Sequence, residues 1–250
     1  MKKVFLLILS ILFLNSVAAF GAEKITALTE EWAPYSYEEN GKLVGLSVDL
    51  VVQILNRAGI EHELSIKPWK RAYNETLKNK NTILFTTSHT DKRKDLFKWV
   101  GPLFPRRVVL YRLKKNAHIK VNSFEDLKRY RIGAVRGGAV EELLISKGFK
   151  HGINFDEADS GKQNILKLFM GRIELIPGSE ISIAHRMKST PHKLNDMEQV
   201  FTLINKGGYY IAVNKETSDE LVARIQKAFD SLIAEGARDK IIKEYLVDQD

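Results

Sequence analysis

The residues best equipped for chemistry fall together between Ile83 and Phe104, ILFTTSHTDKRKDLFKWVGPLF. A β-rich run, Ile83 to Thr87, ends in the hydroxyl and imidazole groups of Ser88, His89 and Thr90, and Arg93 follows. The order reads strand, loop, helix. Thr90 is placed to cap a helix starting at Asp91, whose carboxylate suits the positive end of the helix dipole. Arg93 then stands at the third helical position, beside the same open N–H groups. Hydroxyls, backbone donors and a guanidinium all donate hydrogen bonds, so if they converge they form a receptor for a carboxylate or similar anion. Taken alone, the same residues also describe an ordinary helix start with a solvated arginine. His89, inside the turn, is within reach of any ligand held there.

A second set precedes it. Lys24 to Thr29 alternates as a short strand and runs into Glu30, Glu31, Trp32, Ala33, Pro34 and Tyr35. Pro34 stops any helix, which leaves the aromatics on a loop at the strand's C-terminal end, the edge where open α/β sheets bind ligands. Trp32 and Tyr35 there make either an apolar wall for a small molecule or a cover for the core.

The elements that must position these groups alternate. Asn40-Gly41 marks a turn, Ser47 is placed to cap a helix through Arg57, and Gly59 stops it. A strand over Glu61 to Lys67 closes on Pro68-Trp69, a helix runs from Trp69 to about Lys78, and the Ile83 strand follows. This β-α-β-α-β order predicts a parallel sheet covered by helices. Gly101-Pro102 and Pro105 then interrupt the run before a strand at Val108 to Leu113, and Gly207-Gly208 stands as a flexible joint before a strand at Tyr209 to Val213. Between these two crossings lies a second β/α series. It contains a short helix over Phe124 to Arg129 capped by Ser123, a strand from Arg131 to Arg136, the Gly137-Gly138 turn and a helix from Ala139 to Lys147. A helix from Gly161 to Met170, a strand at Ile173 to Pro177, a helix from Ile181 to about Lys188 and a strand at Gln199 to Ile204 complete it. Thr217, with Glu220 three residues on, is placed to cap the long helix to Glu235, and a short helix to Leu246 ends the pattern. The expected fold is α/β: two lobes, each a mostly parallel sheet flanked by helices, joined by two crossing strands around a cleft. The expected division is 22–105 with 209–250 for lobe one and 106–208 for lobe two.

Composition narrows the classes. Lys2 and Lys3, an apolar run from Val4 to Leu14 and the small residues NSVAAFGA have the form of a secretory signal peptide over 1–21, cleaved between 19 and 22. The apolar run is too short to span a bilayer comfortably. The 250-residue chain has no cysteine, which excludes disulfides, thiolate metal sites, cysteine nucleophiles and a lipid-modified N-terminal cysteine. A periplasmic location suits these features. The formal charge of +8 falls to about +6 without the two leader lysines. With lysines scattered singly among acids, this predicts a solvated surface with a mild bias toward anionic ligands or an anionic membrane face, not a nucleic-acid face. The remaining histidines, His62, His118, His151, His185 and His192, lack metal-ligand spacing, so no metal and no cofactor is expected.

The segments GKLVGLSVDL (Gly41 to Leu50), PWKRA (Pro68 to Ala72), TTSHTDKRKDLFKWVGPL (Thr86 to Leu103), SFEDLKRYRIGAVRGG (Ser123 to Gly138) and GRIELIPGS (Gly171 to Ser179) resemble the periplasmic solute-binding proteins of amino-acid ABC transporters, family 3. The likeness runs from about Ile25 to Leu246 and implies the type II periplasmic binding fold. It further implies that Arg93 grips the ligand's α-carboxylate, that Thr90 and Ser88 donate hydroxyls, that Trp32 and Trp69 are aromatic walls, and that Arg136 adds a cation from lobe two. Where amino-acid binders of this family place an aspartate for the ligand's ammonium, this chain has Ser179 followed by Glu180. If neither reaches the cleft, an α-amino group loses its ionic partner, with Glu30 and Glu31 beside Trp32 as the alternative acids, so a carboxylate-bearing solute is a firmer expectation than a standard amino acid. The implied activity is extracytoplasmic capture by hinge closure about Gly101-Pro102 and Gly207-Gly208, by a monomer, for delivery to a membrane permease. Two alternatives accompany it. One is a sensing subunit presenting ligand to a membrane receptor. The other is a dehydratase-like enzyme, for which Glu180 or His89 is the sole acid–base candidate. Lytic transglycosylases of related fold carry an additional catalytic domain for which this chain is not expected to have room.

Overall fold

Alternation of large apolar residues drives the first half of the chain into a sheet. In the computed structural model, which describes residues 24–247, the elements run β1 (Lys24–Thr29), β2 (Tyr37–Glu39), β3 (Lys42–Val44), α1 (Leu46–Arg57), β4 (Glu61–Ile66), α2 (Trp69–Lys78) and β5 (Thr82–Ser88). The expected leader and its cleavage site lie outside the described residues. β1 pairs in parallel with β4 and β5. Ile25, Ala27, Ile83 and Phe85 face one core with the apolar side of α1, while Leu28 and Leu84 face the opposite way, toward Trp69 and Ala72 of α2. A period of two along each strand thus builds a helix-covered sheet.

The second series comprises β6 (Phe97–Leu113), β7 (Ile132–Val135), α3 (Ala139–Ser146), β8 (Phe155–Ala158), α4 (Gly161–Phe169), β9 (Ile176–Gly178), α5 (Glu180–Met187), β10 (Met197–Asn214), α6 (Asp219–Ala234) and α7 (Ala237–Val247). β6 sends Val109, Tyr111 and Leu113 into a core with α4 and α5, and Leu110 into a core on the other side with β7, α3 and β8. Helices α6 and α7 return to the first lobe, where Leu221, Ile225 and Ile241 join the α1 core. The main sheet has the order β4-β1-β5-β10-β6-β9, and β7 pairs with β8 in parallel.

Five local expectations are corrected. No regular helix follows Asp91: residues 91–96 are turns in which the Arg93 and Lys94 amides both donate to the Thr90 carbonyl, at 2.9 and 2.8 Å. Six residues before β6 are too few to repay helix nucleation. The crossings are also not broken at their glycines and prolines. β6 and β10 are continuous antiparallel strands, and Gly101-Pro102 and Gly207-Gly208 lie in register shifts of that ladder, where a bulge tolerates a residue without a ladder N–H. Helix α1 starts after Gly45, not at Ser47, because its first amides, Leu46 and Ser47, already donate to the Pro34 and Tyr35 carbonyls at 2.9 and 2.8 Å. Gly45 has φ of 132° and a Cβ there would strike the Tyr35 carbonyl, so glycine is what lets the aromatic loop dock on α1. Finally, Ser218 and not Thr217 caps α6, since the Thr217 hydroxyl accepts the Asn81 amide at 3.0 Å. The strand expected over Ile173 to Pro177 is shorter than read, Ile176–Gly178.

Candidate functional site

A cavity of about 120 Å³ lies between the lobes. The C-terminal end of β1 and the following loop bring Glu30 and Trp32 to it, α2 brings Trp69, β5 brings Thr86 and Ser88, and the turn after β5 brings Arg93. From across the cleft come the first residues of α3, Asn164 of α4, and Ser179 and Arg186 at either end of α5. The crossing strands contribute Arg106 and Tyr209.

Arg93 is 1 % exposed. Its Nη2 donates to the Gly137 carbonyl at 3.0 Å and its Nε to Glu142 Oε1 at 3.2 Å, so the arginine of lobe one reaches the turn and helix of lobe two. The guanidinium carbon lies 4.8 Å from the Trp69 ring centroid and 5.2 Å from that of Tyr73, cation–π contacts that hold its plane. Trp69 donates its indole N–H to the same Gly137 carbonyl at 2.8 Å, and Trp32 donates to the Ser182 hydroxyl at 2.8 Å. Both indoles therefore join the lobes as well as wall the cavity.

Thr86 is bent into this cavity at a cost. It is a β-branched residue with φ of 60°, where such residues are genuine outliers, and it is 3 % exposed. It sits on a bulge, because the pairings Tyr210 with Thr87 and Ala212 with Leu84 leave two β5 residues opposite Ile211 alone. Strain of this kind, of order 1–3 kcal/mol, is held where the surroundings demand it. The Thr86 hydroxyl, Arg106 Nε and Asn164 Oδ1 are buried without a hydrogen-bond partner among the described residues. Three unsatisfied polar groups on one cavity define a place built to receive a polar molecule.

The charges are tuned by desolvation. Burial pushes the Glu30 carboxyl up to about 7, against the pull of Arg186 and Arg93. Burial likewise lowers the Arg186 guanidinium to about 10, with Glu30, Glu31 and Tyr209 opposing the shift. Arg106 is lowered by burial too, beside the Tyr209 hydroxyl, which burial raises.

Of the residues singled out in the sequence, Arg93, Ser88, Trp32, Trp69 and Ser179 line the cavity. The Ser179 hydroxyl accepts the Ser182 amide at 3.3 Å and so also caps α5. Four others lie elsewhere. Thr90 offers its carbonyl to the turn, and its buried hydroxyl has no partner among the described residues. Arg136 pairs with Glu157 and Asp159, at 2.9 and 3.3 Å. Glu180 pairs with Arg107 at 2.7 Å and accepts from Gln199. His89 is exposed and packs its ring on Trp99 and Tyr210, at 4.6 and 5.5 Å. Sequence reasoning missed Arg106, Asn164, Arg186 and Tyr209.

Two α/β lobes with a polar cleft between them are the architecture of the solute-binding proteins. The chain belongs to the bacterial extracellular solute-binding proteins, family 3, whose family model matches residues 25–248. It is 27 % identical to the histidine-binding periplasmic protein of Escherichia coli (strain K12), over 98 % of this chain and 97 % of that one. Among solved structures, it is similar to an ancestral arginine-binding protein bound to glutamine, with a TM-score of 0.75, 25 % identity, and 89 % of this chain and 97 % of that one covered. It shares its fold with a histidine kinase sensor domain similar to periplasmic binding proteins, with a TM-score of 0.80, 19 % identity, and 89 % and 96 % covered.

Proposed function

We propose that this chain captures a small carboxylate-bearing solute, an amino acid or related polar metabolite, in the periplasm and presents it to the membrane permease of an ABC transporter. The observation that carries the reading is Arg93, buried at the cavity between lobes and reaching across to the second one. A carboxylate entering beside it gains charge-assisted hydrogen bonds in a site screened from water, with Ser88 on the same wall. Lobe one comprises 22–105 and 209–250 and docks the solute first; lobe two, 106–208, swings over it by flexing β6 and β10. The closed state wins only because the ligand contacts both lobes there.

The chain acts as a binder and not as a catalyst. Glu180 and His89, the acid–base candidates, are engaged outside the cavity. Family membership supports export after removal of 1–21, and no helix among the described residues is long and apolar enough to cross a membrane. The protein works as a monomer. The test is a thermal-shift screen of the mature chain against amino acids, dicarboxylates and short peptides, repeated on Arg93→Ala. Hits are expected among carboxylates and are expected to vanish in the variant; a hit retained undiminished would place the site elsewhere.

A further inference from the structure

The geometry points to a second anion-binding corner, formed by Arg106 and Arg186 on the cavity they share with Arg93, so that the solute is acidic at two ends. This rests on the proposed carboxylate-capture function and specifies its substrate class. Three guanidiniums line the cavity, those of Arg93, Arg106 and Arg186, against the single carboxylate of Glu30. Arg93 has Glu142 as its partner, at 3.0 Å. Arg186 makes no side-chain hydrogen bond or ion pair among the described residues, and Arg106 keeps a buried Nε without a partner. Two desolvated cations with one shared carboxylate nearby, Glu30, leave room for an anion from outside.

The corner is also shaped. Arg186 lies against the backbone of Gly161, where any Cβ would collide with its Nη1, so the first residue of α4 is small where the guanidinium passes. The Tyr209 hydroxyl is near enough to act on both guanidiniums, and Asn164 adds a buried amide oxygen that can accept from a ligand hydroxyl or ammonium. A cationic side chain such as that of arginine or histidine would face two like charges here. A dicarboxylate, with or without an amino group, matches them.

Isothermal titration of the mature chain with L-glutamate, glutarate, L-glutamine, L-arginine and L-histidine tests the assignment. L-Glutamate or glutarate is expected to bind at least tenfold more tightly than L-glutamine, L-arginine or L-histidine. Arg186→Gln and Arg106→Gln should each weaken the dianion at least tenfold, and by a larger factor than they weaken L-glutamine. Arg186→Lys, which keeps the charge but not the fork, supplies a milder lesion if the glutamine variant fails to fold by circular dichroism, and should weaken glutarate at least fivefold. Tighter binding of L-glutamine, L-arginine or L-histidine that Arg93→Ala abolishes would overturn the second corner while leaving carboxylate capture standing. Dianion binding unchanged in both glutamine variants would overturn it as well. Failure of every carboxylate to bind, or indifference of all binding to Arg93→Ala, would remove the capture function itself.

Discussion

Glu30→Gln isolates the one carboxylate lining the cavity. In the folded chain burial raises Glu30 from its ordinary 4.5 to about 7, because desolvation outweighs the attraction of Arg186 and Arg93. A group with a raised folded value holds its proton longer folded than unfolded. Its stability contribution is therefore complete below about pH 4.5 and is lost as the pH climbs through 7. At about 1.36 kcal/mol per pH unit, the gap of roughly 2.5 units corresponds to about 3 kcal/mol. The amide cannot ionise, so the stability of Glu30→Gln relative to the unsubstituted chain should rise by about 3 kcal/mol between pH 4 and pH 8. Any constant offset from the substitution cancels, as do all other titrating groups. Urea unfolding of both proteins at half-unit pH intervals measures the difference. A difference that stays flat across the range, or that falls, refutes the desolvation argument.

Three further outcomes follow from the same contacts. Arg93→Ala should weaken the best carboxylate ligand tenfold to a hundredfold or more by calorimetry, since buried charge-assisted hydrogen bonds contribute about 1.5–3 kcal/mol each; a loss under threefold would exclude direct contact. The same substitution strands Glu142 inside the protein and should cost roughly 3–5 kcal/mol in chemical denaturation, partly restored by adding Glu142→Gln. No restoration would mean that the pair is not what the arginine stabilises. Gly161→Ala should displace Arg186 and weaken glutarate about tenfold while barely moving the melting temperature, because the first helical turn tolerates alanine well; unchanged glutarate binding would show that the guanidinium can shift freely.

Much of this architecture was legible because its driving forces are local. The period-two runs of β1 and β5 and the apolar face of α1 are written into neighbouring residues, and so was the crowding of hydroxyls and Arg93 at one strand end. What stayed hidden depends on pairing between distant segments. Gly101-Pro102 and Gly207-Gly208 read as breaks because a bulge opposite each exists only once β6 and β10 lie side by side. Arg93 and Glu142 meet across 49 residues of sequence. Arg106 did leave a trace: it falls in alternation with Phe104, Val108 and Leu110, all buried, so a charge occupies an inward-facing strand position. Arg186, three residues after Ile183 and one before Met187, likewise borders the buried side of α5. A cation on a buried register is the signal that a reading centred on strand ends overlooks.

The tethering of the two indoles has a consequence for discrimination. A tryptophan has a single polar hydrogen, and Trp32 and Trp69 have both committed theirs to Ser182 and Gly137. Toward a guest they present hydrocarbon rings alone, which grip any flat or aliphatic stem with equal indifference. Choosing among guests is thereby delegated to the arginines, and a relative with other tastes could arise by exchanging those cations while the aromatic jaws stay as they are.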